Sequence, residues 1–294
     1  MQAGCIEKRD GVAPRALFQG AARSILSRTS GYIAEAGFTH SLTPARNCTF
    51  GCTYCYVPTL GIYGGLKPED WQRWGQFTTF KENAPDLLHK QIRASQRIYC
   101  SPLVDPYQPA EGEAQMMPRI LDEVAAHPPR VFCLQTRGTL ILRDLDRLRE
   151  LARRTTLRVS FSITTNREEI RRWYEPHCAP IEERLRAIRA LREAGIQTFA
   201  TLAPILPCDP EALARIAIET SGGNLIGDPL HIRATKAHGA TTRDEAFRIA
   251  RVRGHEEWWN AGFQMRVVER IKNAARDHGV TFEVGPRGFA RLAE

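Results

Sequence analysis

From residue 39 onward, short apolar runs alternate with amphipathic segments, and this alternation constrains the fold more than any other feature of the chain. Thr39–Thr43, Arg97–Cys100, Val131–Thr136, Leu157–Ile163 and Gln197–Ile205 have the length and residue types of buried strands. Leu225–Ile232 reads as a sixth, interrupted by Asp228-Pro229. Helical patterns lie between them. Pro85–Ala94 is one, and Pro118 opens another that carries Ile120, Leu121 and Val124. Leu142, Leu145, Leu148 and Leu151 recur at every third residue, and Ile181, Leu185, Ile188 and Leu191 precede a terminating Gly195. Asp209-Pro210 caps a helix with Leu213 and Ile216, and His255–His278 reads as one long closing helix with Trp258, Trp259, Phe263 and Val267 inward. Strand–helix repeats of this kind give a parallel sheet with right-handed crossovers. The expected class is α/β, a partial (β/α)6 barrel of TIM type with its reactive groups at the carboxyl ends of the strands. Residues 1–35 read as an N-terminal extension with a short helix near Gly20–Arg28. Residues 36–240 read as the barrel, and 241–294 as a C-terminal helical region packing on it.

Directly after the first strand comes Cys48-Thr-Phe-Gly-Cys52-Thr-Tyr54-Cys55, a C-x3-C-x2-C spacing. Three thiolates are one short of a closed metal site. Cysteines hold iron–sulfur clusters, and a four-iron cube with three protein ligands keeps one iron open to a cofactor or substrate. Gly51 gives the loop freedom to wrap such a cluster. Tyr54 places a ring beside whatever binds the open iron. A structural zinc site is the competing reading, but zinc needs a fourth ligand and usually paired C-x2-C units, and no second pair exists in the chain. The other cysteines, Cys5, Cys100, Cys133, Cys178 and Cys208, are scattered singly, as buried small hydrophobes are.

At 294 residues and 43% hydrophobic content the chain can bury a substantial core, and it has no apolar run long enough to span a bilayer. No apolar signal core opens the sequence, and unpaired thiolates suit a reducing compartment, so the expected location is cytoplasmic. The net charge of +8 can attract phosphate, which keeps nucleic acid among the candidate partners. Against that, Arg143, Arg147, Arg149, Arg153 and Arg154 share a helix and read equally as a solvated face.

The motif C-x3-C-x-aromatic-C resembles the signature of the radical S-adenosylmethionine (SAM) superfamily. Further blocks resemble spore photoproduct lyase and its broader relatives: Tyr54 to Gly61, Val159–Ile163 with Tyr174-Glu175-Pro176 and Ile181–Leu185, Thr201–Ile205, and Arg233 to Lys236. The resemblance implies a [4Fe-4S] cluster on Cys48, Cys52 and Cys55, with SAM chelating the fourth iron. It implies reductive cleavage of SAM to a 5′-deoxyadenosyl radical, hydrogen abstraction from a substrate not identified by the sequence, and an electron donor such as flavodoxin or ferredoxin. It further implies that Ser101 contacts SAM and that Arg137, at a position usually lysine, binds the methionine carboxylate. Ser162 and Thr164 become candidate ribose or carboxylate partners, and Ala203 a backbone contact to adenine. Cys100 would donate a hydrogen atom to the product radical, with Asp105 and Tyr107 in the pocket. Repair of thymine photoproducts in DNA is the alternative activity, although the C-terminus lacks a recognisable hairpin for a flipped-out lesion. An iron–sulfur redox sensor and a zinc-stabilised, non-catalytic nucleic-acid-binding protein are the alternatives of other classes.

Overall fold

A computed structural model describes residues 4–5, 16–60, 73–234 and 241–294. Among these, the strands are β1 (Gly4–Cys5), β2 (Ala16–Gly20), β3 (Leu26–Arg28), β4 (His40–Leu42), β5 (Ala45–Arg46), β6 (Phe77–Lys81), β7 (Arg97–Cys100), β8 (Val131–Thr136), β9 (Thr156–Ser162), β10 (Thr198–Ile205), β11 (Leu225–Pro229) and β12 (Glu283–Val284). The main sheet runs β12-β11-β10-β9-β8-β7-β4-β3. The six expected strands are β4, β7, β8, β9, β10 and β11, each parallel to the next in chain order. β12 extends the parallel set at one edge, and β3 closes the other antiparallel to β4. The helices Ala84–Gln91, Met116–Ala126, Leu145–Ala152, Ile181–Glu193 and Pro210–Ser221 fill the crossovers. Thr139–Asp144, ahead of Leu145–Ala152, is a 3-10 turn, which suits leucines spaced by three.

Side-chain parity divides the core in two. Ile98, Cys100, Phe132, Leu134, Val159, Phe161 and Leu202 pack with the helices in one cluster. Their neighbours Tyr99, Cys133, Phe199 and Ile226 turn to the other face, where Ala36, Phe38, Phe289, Leu292 and Ala293 cover them. Along each strand, successive side chains point to opposite faces, so the register alone fixes this partition. The second face is also polar. Tyr99 Oη and Ser160 Oγ both donate to Gln135 Oε1 (2.6 and 2.7 Å), Gln135 Nε2 donates to Ser162 Oγ (2.8 Å), and Ser160 Oγ lies 2.6 Å from Thr201 Oγ1.

Three expectations are corrected. The segment Gly20–Arg28 is not helical, since β2 pairs in parallel with β6 and β3 pairs antiparallel with β4. Those partners lie far along the chain and override local helix propensity. The long closing helix expected over 255–278 divides into two pieces, and a further helix precedes it. An unforeseen helix at Asp244–Arg253 ends on the left-handed Gly254, a short 3-10 turn spans Glu256–Trp259, and Asn260 Oδ1 caps Ala261–Asp277 by accepting from the Phe263 N–H at 3.0 Å. The sixth strand stops at Pro229, where the ladder runs out of donors. Gly61, Thr235 and Lys236 lie outside the described residues.

No helix among the described residues is long and apolar enough to cross a membrane. The arginine-rich helix face is matched by carboxylates: Arg147 by Asp122, Arg149 by Asp146, and Arg153 and Arg154 by Glu150. These are exposed pairs of small net worth, and they match these four arginines to the protein's own carboxylates.

Candidate cluster and SAM site

The cysteine loop leaves the barrel at β4 and is closed at its base by a second, small sheet of order β1-β2-β6-β5. β5 enters the loop, β6 follows it, and the two pair antiparallel through Ala45↔Phe80 and Arg46↔Thr79. Cys48 and Cys52 are buried and Cys55 is half-buried, and all three are free thiols. The loop turns on Gly51, whose φ is +59°. Gly75, at φ +91°, lies against it so closely that an added Cβ would sit 2.7 Å from Gly51 Cα. Two glycines are required here because the backbones touch and both use the left-handed region. Gly75→Ala should therefore cost about 1–3 kcal/mol and lower the iron content of the protein, read by urea unfolding and iron assay.

Loop position is also set by buried polar contacts. Gln108 Oε1 accepts from the Thr49 N–H (2.7 Å) and its Oγ1 (3.1 Å), and Gln108 Nε2 donates to the Asn47 carbonyl (3.3 Å). The Thr53 N–H donates to the Tyr174 carbonyl at 3.0 Å. Asp105 is a brace and not an open pocket group. Its carboxylate accepts from the Tyr107 N–H (2.9 Å), Thr136 Oγ1 (2.6 Å) and the Arg137 N–H (2.8 Å), tying the segment after β7 to the end of β8.

The centre of the site is Glu175, which stands in the Tyr174-Glu175-Pro176 block and to which the sequence alone assigns no role. Its carboxylate is fully buried and takes hydrogen bonds from Tyr54 Oη, Thr164 Oγ1, Arg137 Nη1 and Arg184 Nη2. Burial opposes its ionisation, but Arg184 and Arg137 outweigh that and hold the carboxyl at about 2. Arg137 also donates to Tyr54 Oη and stacks 5.5 Å from the Tyr54 ring centre. Burial works against its charge, yet Tyr54, Cys52 and Glu175 keep it cationic. Its hydrogen bonds run through Nη1 and the backbone, which leaves the Nε and Nη2 edge for a further acceptor.

The thiols differ among themselves. A hydrogen bond from Cys178, opposed by burial and helped by Arg137, pulls Cys52 below its ordinary value. Burial pushes Cys48 up, and pushes Cys55 up to about 12. Three unbridged thiols on one loop, one of them already inclined to the thiolate and two held neutral by burial, suit a cationic centre that replaces their protons. That donor set fits an iron–sulfur cluster. A buried Ser101 Oγ without a hydrogen-bond partner, at the end of β7, and the open Arg137 edge fit a polar cofactor carrying a carboxylate. Ser162 ends β9 on the barrel face, Thr164 is spent on Glu175, and Ala203 is half-buried on the same face as Phe199. Cys100 is fully buried in the helix-side cluster with Ile98 and Leu134, while Tyr99 is the β7 residue turned to the barrel face.

The radical SAM superfamily model matches residues 42–217, from β4 through most of the Pro210–Ser221 helix. An uncharacterized protein of Methanocaldococcus jannaschii is 29% identical over 161 residues, 54% of this chain and 58% of that protein. One from Mycobacterium tuberculosis is 29% identical over 178 residues, 59% of this chain and 52% of that protein. These matches thus span little more than half the length of either relative. Among solved structures, a spore photoproduct lyase variant with bound AdoMet and dinucleoside spore photoproduct superposes with a TM-score of 0.56. It shares 15% identity over 91% of this chain and 81% of that one, a likeness of fold.

Proposed function

The chain belongs to the radical SAM superfamily, whose enzymes use a [4Fe-4S] cluster and S-adenosylmethionine, and from that premise we propose that Cys48, Cys52 and Cys55 hold the cluster and that the protein abstracts hydrogen from an organic substrate. The observation that carries this reading is the trio of free thiols, two buried and one half-buried, on one loop at the carboxyl end of β4, facing a half-buried cation that retains a free donor edge. When bound, the cluster supplies the electron for reductive cleavage of SAM.

The chain's own residues supply position and charge. Arg137, fixed by Glu175 and Tyr54, would offer its Nε–Nη2 edge to the carboxylate of SAM, a paired donor set that lysine cannot reproduce. Ser101 Oγ offers an unspent hydroxyl, and Ser162 Oγ, which accepts from Gln135 Nε2 at the end of β9, keeps its own O–H to donate. Ala203 offers backbone to the adenine. Thr164 acts through Glu175 and positions Arg137 without reaching the cofactor. Tyr54 does the same from below the guanidinium. For Cys100, the helix-side placement supports packing over hydrogen donation.

Anaerobically reconstituted protein, reduced with dithionite in the presence of SAM, should release 5′-deoxyadenosine and methionine. A preparation that holds a cluster yet releases neither would select the redox-sensor reading, and zinc without sulfide would select the zinc-stabilised one. Adding UV-irradiated DNA tests the lyase branch. Deoxyadenosine without restored thymines assigns the enzyme to another substrate.

A further inference from the structure

Away from the cysteine loop, His89 lies in the last turn of the Ala84–Gln91 helix, Glu123 in the Met116–Ala126 helix, and His127 directly after it. These two helices flank β7 in the chain and pack against each other. Glu123 Oε2 is 3.2 Å from His89 Nδ1 and 3.8 Å from His127 Nδ1. The imidazole rings stand edge to face with centres 4.6 Å apart. All three ligand atoms lie within 4.8 Å of one another, the one such group of His, Cys, Asp or Glu among the described residues.

We propose that His89, Glu123 and His127 form a binding site for a divalent metal ion of borderline softness, Zn2+ above all. The geometry fits the ion. Zinc bonds of about 2.0–2.2 Å to nitrogen and oxygen, at tetrahedral angles, put neighbouring ligand atoms roughly 3.4 Å apart. The two measured separations, 3.2 and 3.8 Å, bracket that spacing. A simple hydrogen bond explains the His89–Glu123 contact. His127, four residues on from Glu123, brings a second ring nitrogen towards the same oxygen from beyond hydrogen-bond reach, so two imidazoles converge on one carboxylate. Two imidazoles and one carboxylate form a three-ligand donor set that leaves a fourth position for water. The side chains are 58%, 30% and 44% exposed for His89, Glu123 and His127, so an ion can enter without a costly loss of hydration.

The site joins two segments separated by 33 residues between His89 and Glu123, so occupancy cross-links them. Between those segments lie β7 and the stretch carrying Asp105, which ties it to the end of β8, and Gln108, which braces the cysteine loop. A metal there would act as an external clamp on that brace. The inference stands on these three residues alone and does not depend on the reaction proposed above.

Cluster-loaded protein, kept anaerobic so that the cysteine loop is already filled, should be titrated with Zn2+ and, separately, with Co2+ as a visible-absorption probe. Wild-type protein should bind one Zn2+ more than a His89→Ala/His127→Ala variant, and the bound ion should raise the unfolding temperature in wild type alone. The milder Glu123→Gln variant should fold normally and weaken Zn2+ binding at least about tenfold, since a neutral amide replaces an anionic ligand. Co2+ should give the absorption bands of a tetrahedral or five-coordinate ion in wild type and lose them in both variants. Equal stoichiometry and affinity in wild type and variants would overturn the assignment.

Discussion

Cys52→Ala should lose the cluster's charge-transfer absorption, reduce bound iron and sulfide by at least about tenfold, and release no 5′-deoxyadenosine from SAM. Cys52 is the central cysteine of the trio and the thiol that the site most readily turns into a thiolate, because Cys178 donates to it and Arg137 faces it. Removing it leaves Cys48 and Cys55, both pushed towards the neutral thiol by burial. Two such ligands at opposite ends of the loop do not hold a cube. Cys178→Ala is the informative contrast. It keeps all three ligands but removes a hydrogen bond to a ligand sulfur. Iron content should stay near wild type, and the reduction potential should fall, because a donor to sulfur favours the more negative, reduced cluster. Retention of a normal cluster by Cys52→Ala would refute the ligand assignment.

Glu175→Gln should be the most destabilising single change that spares the cysteines. The carboxylate is buried between Arg137 and Arg184, and Arg184 is itself only 1% exposed. Breaking a buried pair by neutralising one partner costs about 3–5 kcal/mol, since the other charge stays buried without compensation. The pH dependence gives an independent reading. The folded carboxyl is held at about 2, below its ordinary 4.5. A depressed carboxyl pKa stabilises fully above the unfolded value and loses that stabilisation as pH falls towards the folded one. The wild-type advantage over Glu175→Gln should therefore be complete above about pH 5 and shrink by about 3 kcal/mol towards pH 2. Urea unfolding of metal-free protein across that window measures it, and the difference between the two proteins cancels the other carboxylates. A difference that stays flat from pH 6 to about pH 2.5 would mean that Glu175 is not ion-paired as described. The same variant should weaken SAM binding, because Arg137 loses the contact that aims it.

How much of this was legible in the chain follows from how local each signal is. β7 and β8 match their apolar runs residue for residue, and the other parallel strands to within one or two residues at their amino ends, because burial on both faces leaves a continuous apolar stretch. The cysteine trio is legible because its three members fall within eight residues. The small sheet is not, because β5 has two residues and β2 finds its partner β6 some sixty positions away. Glu175 escaped for the same reason. Its partners lie 121, 38, 11 and 9 residues distant at Tyr54, Arg137, Thr164 and Arg184. The sole local hint was its place in the Tyr-Glu-Pro block. Parity sets the face on which Cys100 lies. A residue count along β7 sets Tyr99 on one face and Cys100 on the other, but which face is the barrel side depends on what covers it.

Closure of the cysteine loop by β5 and β6 bears on how electrons move. A ligand loop anchored at both ends of its base, with Gly51 wedged on Gly75, has little freedom to relax when a bound cluster changes its charge. Small structural adjustment on gaining an electron means a low reorganisation energy, so a donor with modest driving force can still reduce the centre quickly.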